Sequence, residues 1–329
     1  MPTLFPSPPS TTKDLLLPEF SSLLITGSYH SSAPVHLSLS SAQHQSIIIS
    51  PSKSAFSQDL QQFKDAWLTA NSGHGSITAL SSKISVFDLI PSYPPTVAHL
   101  CLLVAVLCVP STNDAGPGFI STKLESMQAF PATQFILVEP SRYLLIEEDA
   151  DATPFPPTLS SYFNILNRIF TSIFAQPASS PSEMFVSVHR KLVVFDSGID
   201  HLRLPLRMRP PTPDDDAVEE SGDEGDEGDE DHKSEDEQED TTYEIEGDPM
   251  ALCEILFRWV GVFEDDPMNV PSSQGEEEAD EGTHRQIRLY RPRSAQDESD
   301  MDQEPRILSW IEKVHAGDSA RDGIDFIWI

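Results

Sequence analysis

The 329-residue chain holds only three cysteines, Cys101, Cys108 and Cys253, and no CxxC spacing joins them. That is too few for a disulfide framework and the wrong pattern for a thiolate metal site, so a reducing compartment is expected. Basic residues are scarce as well: 21 Lys and Arg stand against 53 Asp and Glu, for a net charge of -32. A free-standing nucleic-acid binder needs clustered Lys and Arg for phosphate contacts, and this composition excludes that class while leaving open membership of a nucleic-acid-binding assembly. Long apolar runs are missing too. The longest, residues 100–109, falls short of the roughly 20 residues that cross a bilayer. Residues 1–12 carry no basic stretch ahead of an apolar one, so no secretory signal is expected there. The expectation is a soluble intracellular protein, nuclear or cytoplasmic, without membrane contact.

Catalytic signatures are equally thin. The ten histidines form no HExxH and no Cys/His zinc spacing, and no GxSxG elbow occurs. No metal, no cofactor and no catalytic residue is therefore expected. His99, Cys101 and Cys108 read as core residues of an apolar helix, and Gly73-His74-Gly75-Ser76 as a flexible loop. Glu147, Glu148, Asp149 and Asp151 read as a solvated acidic run. Arg203, Arg207 and Arg209 are the one small basic group.

What the chain does contain is unevenly spread. Residues 214–248 hold 20 acids and a single lysine, so 19 of the 32 surplus negative charges sit in this one window. With almost nothing to bury, residues 211–248 read as a disordered acidic insertion. Within it, Ser221 and Ser234 precede acids in the pattern that acidophilic kinases favour, where phosphate would add more negative charge. Four prolines among the first nine residues mark 1–18 as a disordered N-terminus. Residues 19–210 then form the core, and 249–329 complete the same domain.

Within the core, short apolar runs alternate with helical patterns. Strands are expected at 21–26, 46–50, 84–90, 135–138 and 191–196. Between them, Pro34 opens a weak helix, and 54–68 shows Phe56, Leu60, Phe63 and Trp67 on one helical face. Helices at 96–108 and 160–174 follow. Five such runs describe a three-layer α/β domain whose mostly parallel sheet is covered on both faces. Beyond the insertion, 251–263, 285–291, 306–314 and 324–329 read as strands, adding antiparallel hairpins to the sheet. A helix is nearly as good for the first of these, with Asp248 as its cap. As a strand, Cys253, Ile255, Phe257, Trp259 and Phe263 would share one face.

The loop after the first strand bears most on function. A phosphate-binding loop needs GxxxxGK[ST], in which glycines let backbone amides wrap phosphates, Lys neutralises them and the hydroxyl holds Mg²⁺. The matching window is Gly27-Ser28-Tyr29-His30-Ser31-Ser32-Ala33-Pro34: Ser32 replaces the second Gly, Ala33 the Lys and Pro34 the hydroxyl residue. The fourth strand ends in Glu139, where a nucleotidase would place its Mg²⁺-associated acid.

This order of elements, with its relic loop, resembles the ATPase core of RecA-like recombinases over roughly residues 20–205. The segments SIIISPSKSAFSQDLQQFKDAWL (46–68) and YPPTVAHLCLL (93–103) resemble fungal accessory proteins of the Shu type, which assist homologous recombination. The resemblance implies a RecA-like sheet, loss of ATPase activity and persistence as an assembly partner in DNA repair. Its partners would be other RecA-like subunits or a companion protein, with DNA contacted only through the assembly. Two alternatives are an Elongator-type accessory subunit and an ATP-binding enzyme with an unorthodox loop. Trp259 and Trp328 are the expected partner-interface residues.

Overall fold

The computed structural model describes residues 2–6, 16–41, 45–88, 96–108, 132–145, 159–174, 190–202, 255–265, 282–292, 304–315 and 323–329. The acidic insertion with Ser221 and Ser234, the Glu147–Asp151 run, the Arg203–Arg209 group and Cys253 all lie outside these residues.

Four strands, β1 (Ser22–Gly27), β2 (Ser46–Ser50), β4 (Gln134–Val138) and β5 (Lys191–Phe195), are buried along almost their whole length. Continuous apolar runs of this kind need cover on both faces, as parallel strands have. With β3 (Ile84–Asp88), β6 (Trp259–Asp265), β7 (Thr283–Tyr290), β8 (Arg306–His315) and β9 (Gly323–Trp328) they form one sheet of order β3-β2-β4-β5-β1-β6-β7-β8-β9. The first six strands run parallel, β6 included through its pairing with β1, and the last three add antiparallel. This is the three-layer arrangement, a mostly parallel sheet with antiparallel strands at its C-terminal end, expected from the sequence.

Alternation along each strand divides the core. On one face Leu24, Ile49, Leu137 and Val194 pack against α5 (Val97–Cys108) and α7 (Leu159–Phe174). On the other, Leu23, Ile25, Ile136 and Phe195 meet α1 (Ala33–Ser40), α2 (Lys53–Phe63) and the inner residues of the antiparallel strands, Ile287, Leu308 and Trp310 among them. Two short helices, α3 (Ala66–Asn71) and α4 (Gly75–Ser81), lead into β3, and α6 (Arg142–Leu145) follows β4. Among the described residues no helix is long and apolar enough to cross a membrane.

Several local expectations need correction. The described part of residues 1–18 is ordered into the core: Leu4, Phe5 and Leu17 are buried, and the Leu17 amide bonds to the Pro2 carbonyl at 3.0 Å. Phe5 is fully covered, its ring 4.7 Å from Trp310 and 4.8 Å from Phe326. It fills the place where the antiparallel strands would otherwise expose their inner face. The single helix expected at 54–68 is two. Lys64 turns left-handed at φ 51°, and Asp65 caps α3 by accepting from the Leu68 amide at 2.8 Å, a local carboxylate bond that outbids continued helical periodicity. Gly75 begins α4, so the 73–76 segment enters a helix rather than forming a free loop. The strand expected from 251 starts only at Trp259: Ile255 is 71% exposed, and Phe257 packs against Phe170 on the face opposite Trp259 and Phe263. His99 is exposed beside the Thr96 hydroxyl, not buried. Cys108 is a core residue whose thiol burial pushes up to about 11, while Cys101 is half-buried.

Candidate functional site

The C-terminal ends of β1 and β4 lie one strand apart, on either side of β5, so the loop after β1 meets the turn after β4. A cavity of about 600 Å³ opens there, lined by Ser28, Tyr29, Phe56, Asp59, Glu139 and Arg142 together with Arg285 and Glu312 of the antiparallel strands.

Gly27 ends β1 at φ +80°, and a Cβ at this position would collide with the Phe263 carbonyl. Only glycine fits both demands. The loop then closes on itself. The Tyr29 amide bonds to Gly27 O at 2.9 Å, Ala33 to His30 O at 3.0 Å and Val35 to Ser32 O at 3.0 Å, and Pro34 has no amide to offer. A phosphate-binding loop aims such donors at its ligand; here the Tyr29 and Ala33 amides are turned back onto the chain. Ala33 and Pro34 sit in the first turn of α1, and Ser32 is buried at its cap position.

Glu139 directly follows β4, with a left-handed backbone at φ 53° held by its amide bond to Phe195 O at 2.7 Å. Its carboxylate, however, is already taken. The Tyr29 phenol donates to Oε1, the Ser197 hydroxyl donates to the same oxygen at 2.9 Å, and Arg142 lies 3.6 Å from Oε2. The Tyr29 ring is 5.1 Å from Phe195, so the side chain lies across the ends of the strands. Burial, and after it the Glu139 charge, raises the Tyr29 phenol well above its ordinary range and keeps it a donor.

Behind Glu139 sits Asp196, fully buried at the end of β5. It accepts from the Ser141 amide at 2.9 Å, the Ser141 hydroxyl at 2.6 Å and the Gly198 amide at 3.0 Å. Burial and the Glu139 charge push its carboxyl up to about 6 despite those donors.

Two buried pairs brace this region, one joining the loop to β8 and the other joining α1 to the start of α3. His30 is 2.7 Å from Glu312, which also accepts from the Trp310 indole at 3.0 Å. His36 is 2.7 Å from Asp65. Burial alone would raise both carboxyls, but the imidazoles and their other donors outweigh it and hold both below the usual range. Among the described residues no group of three or more His, Cys, Asp or Glu gathers to hold a metal ion.

Of the residues singled out in the sequence, Glu139 lines the cavity, Gly27 ends the strand leading into it, and Ser32, Ala33 and Pro34 sit at the start of α1. Trp259 and Trp328 lie elsewhere, partly buried against the core, the Trp328 indole donating to the Pro6 carbonyl at 3.1 Å. The sequence reading passed over Tyr29, Asp196 and the two histidine pairs. An aromatic residue inside a phosphate-loop window was the available signal for the first, and an apolar run ending in an acid, as at Glu139, for the second.

No family model matches the chain, and no curated protein matches its sequence. Among solved structures, a KaiC-like protein from the hyperthermophilic archaeon Pyrococcus horikoshii OT3 overlaps at 10% identity and a TM-score of 0.41, covering 95% of this chain and 92% of that one. An overlap at that score adds nothing to what the strand order already says about the fold.

Proposed function

We propose that this chain is a non-catalytic RecA-like subunit of a multiprotein assembly, an accessory factor in homologous recombination and DNA repair. The observation that carries the reading is the state of Glu139, whose carboxylate is bound by Tyr29, Ser197 and Arg142 instead of facing a metal-bound phosphate. Mg²⁺-nucleotide does not fit this donor set: Ala33 and Pro34 offer neither charge nor hydroxyl, and Pro34 has no amide. A framework kept without its phosphate chemistry retains one evident use, which is to hold neighbours in place. The pathway rests on the resemblance of residues 46–68 and 93–103 to Shu-type accessory proteins, with other RecA-like subunits or a companion protein as partners and DNA reached through them.

Affinity purification of the full chain from its own cells, followed by mass spectrometry of stoichiometric partners, tests this reading. Recombination factors with RecA-like folds are the expected partners. Elongator subunits, or an enzyme's substrates in place of stable partners, would overturn it.

A further inference from the structure

We propose that a water molecule is buried at the amino ends of β2 and β4, held by Ser46 and Gln134 of the sheet and by Ser41 at the end of α1.

Both strands open on a polar residue and then turn apolar, as Ser46-Ile47-Ile48-Ile49 and Gln134-Phe135-Ile136-Leu137. The two polar residues stand side by side, because the parallel register pairs Ser46 with Gln134. Alternation also puts them on one face. Ile48 and Ile136, two residues further along, belong to the core beneath α1, so Ser46 and Gln134 face the same way. α1 packs there through Ala33 and Leu37 and ends at its cap residue Ser41. Only five residues separate that cap from Ser46, which brings it to the same end of the sheet.

This end is closed to solvent: Ser46 is 0% and Gln134 1% exposed. The backbone amides there are satisfied, Ser46 by Lys83 O at 3.1 Å, Gln134 by Gln45 O at 3.4 Å and Ser41 by Leu37 O at 3.2 Å. The side chains are not. Among the described residues no hydrogen-bond partner reaches the buried Ser46 hydroxyl, the Gln134 Nε2 or the Ser41 hydroxyl. The preceding residues, Gln45 and Thr133, likewise bury an unpartnered Oε1 and Oγ1, so polar groups collect at this end of the strand pair.

Native proteins leave few such groups without a partner. Three of them, brought from three elements to one end of one core face, call for a shared one. That partner must accept from Gln134, since Nε2 offers hydrogens only, while each serine hydroxyl can donate or accept. The amide hydrogens exclude a cation. Water meets both demands, and it is held where two to four polar groups converge. The bound water ties the end of α1 to β2 and β4 where their side chains cannot reach one another.

Solution NMR on the full-length protein tests the site. Cross-peaks between water and the Gln134 side-chain amide are compared in NOESY and ROESY spectra, where a held water gives opposite signs and simple hydrogen exchange gives the same sign. Opposite signs are expected at Gln134. Ser46→Ala, with circular dichroism matching wild type, should remove that peak and raise the unfolding equilibrium constant by about fivefold or more, because buried donors lose their common partner. Ser41→Ala provides a second variant with the same expected loss of the peak. Two results would overturn the proposal. One is a wild-type protein with no peak or exchange-type peaks alone, and the other is a held-water peak left intact by both variants.

Discussion

The parallel and antiparallel halves of the single sheet solve the burial problem differently. In the parallel half, β2 and β4 are buried at every position, and helices cover both faces. In the antiparallel half, β7 buries only Ile287 and Leu289, and its cover on the inner face comes in part from Phe5. The opposite face leaves isoleucines in solvent. A sheet can therefore be completed by a few N-terminal residues that supplement a helix edge such as Phe63 over Phe326, and the half built that way is the half with surface to spare.

The sharpest way to break this comparison is at Phe5. Its truncation to Ala should destabilise the chain by about 3–5 kcal/mol, the usual cost of emptying a buried phenyl site. Urea denaturation measures it, and a cost under about 1 kcal/mol would mean that the N-terminal residues merely rest on the sheet. Next in size is Gly27→Ala at the junction of the halves. The left-handed backbone and the collision with the Phe263 carbonyl should together cost about 1–3 kcal/mol. Wild-type stability in that variant would show that β6 can shift away from β1.

Acid should separate the halves as well. Glu312, which fastens β8 to the loop, and Asp65, which fastens α1 to the start of α3, have carboxyls held below their ordinary range. The stability they contribute is present above about pH 4 and lost as pH falls through their lowered values. Asp196, in the parallel half, has the opposite sign. Raised to about 6, it takes up its proton more readily folded than unfolded, so its contribution grows as pH falls from above 6 toward 4. The urea midpoint should accordingly rise from pH 7 to about pH 5 and drop below pH 4. A midpoint that falls steadily from pH 7 would contradict this division. The smallest expected effect is Ile307→Thr on the bare face, within about 0.5 kcal/mol of wild type by the same denaturation assay. A loss above 1 kcal/mol would mean that this face is covered.

The two halves also differed in how far the sequence revealed them. Runs such as Ser46–Ser50 and Gln134–Val138 disclosed the parallel strands because a fully buried strand needs an unbroken apolar segment. The antiparallel strands were legible in outline, but the start of β6 was not, since Ile255 and Phe257 continue its apolar texture while sitting outside the ladder. The break at Lys64 and Asp65 was hidden because the helical spacing runs unbroken through Phe63 and Trp67; the cap on Leu68 is local, but the His36 contact that holds Asp65 is tertiary. At the site, the missing lysine and hydroxyl could be read from Ala33 and Pro34. The seat of Tyr29 on Glu139 could not, because it joins residues 110 positions apart.

That seat is the centre of the account, and nucleotide binding tests it most directly. Isothermal titration of the purified full-length chain with Mg²⁺-ATP and Mg²⁺-ADP, beside a Tyr29→Ala variant, should give no saturable heat for wild type up to millimolar nucleotide. The variant should bind none either, because removing the tyrosine restores neither the missing lysine nor the missing hydroxyl. Saturable wild-type binding at micromolar concentration, lost on Glu139→Gln, would contradict the account and make the site a working nucleotide pocket.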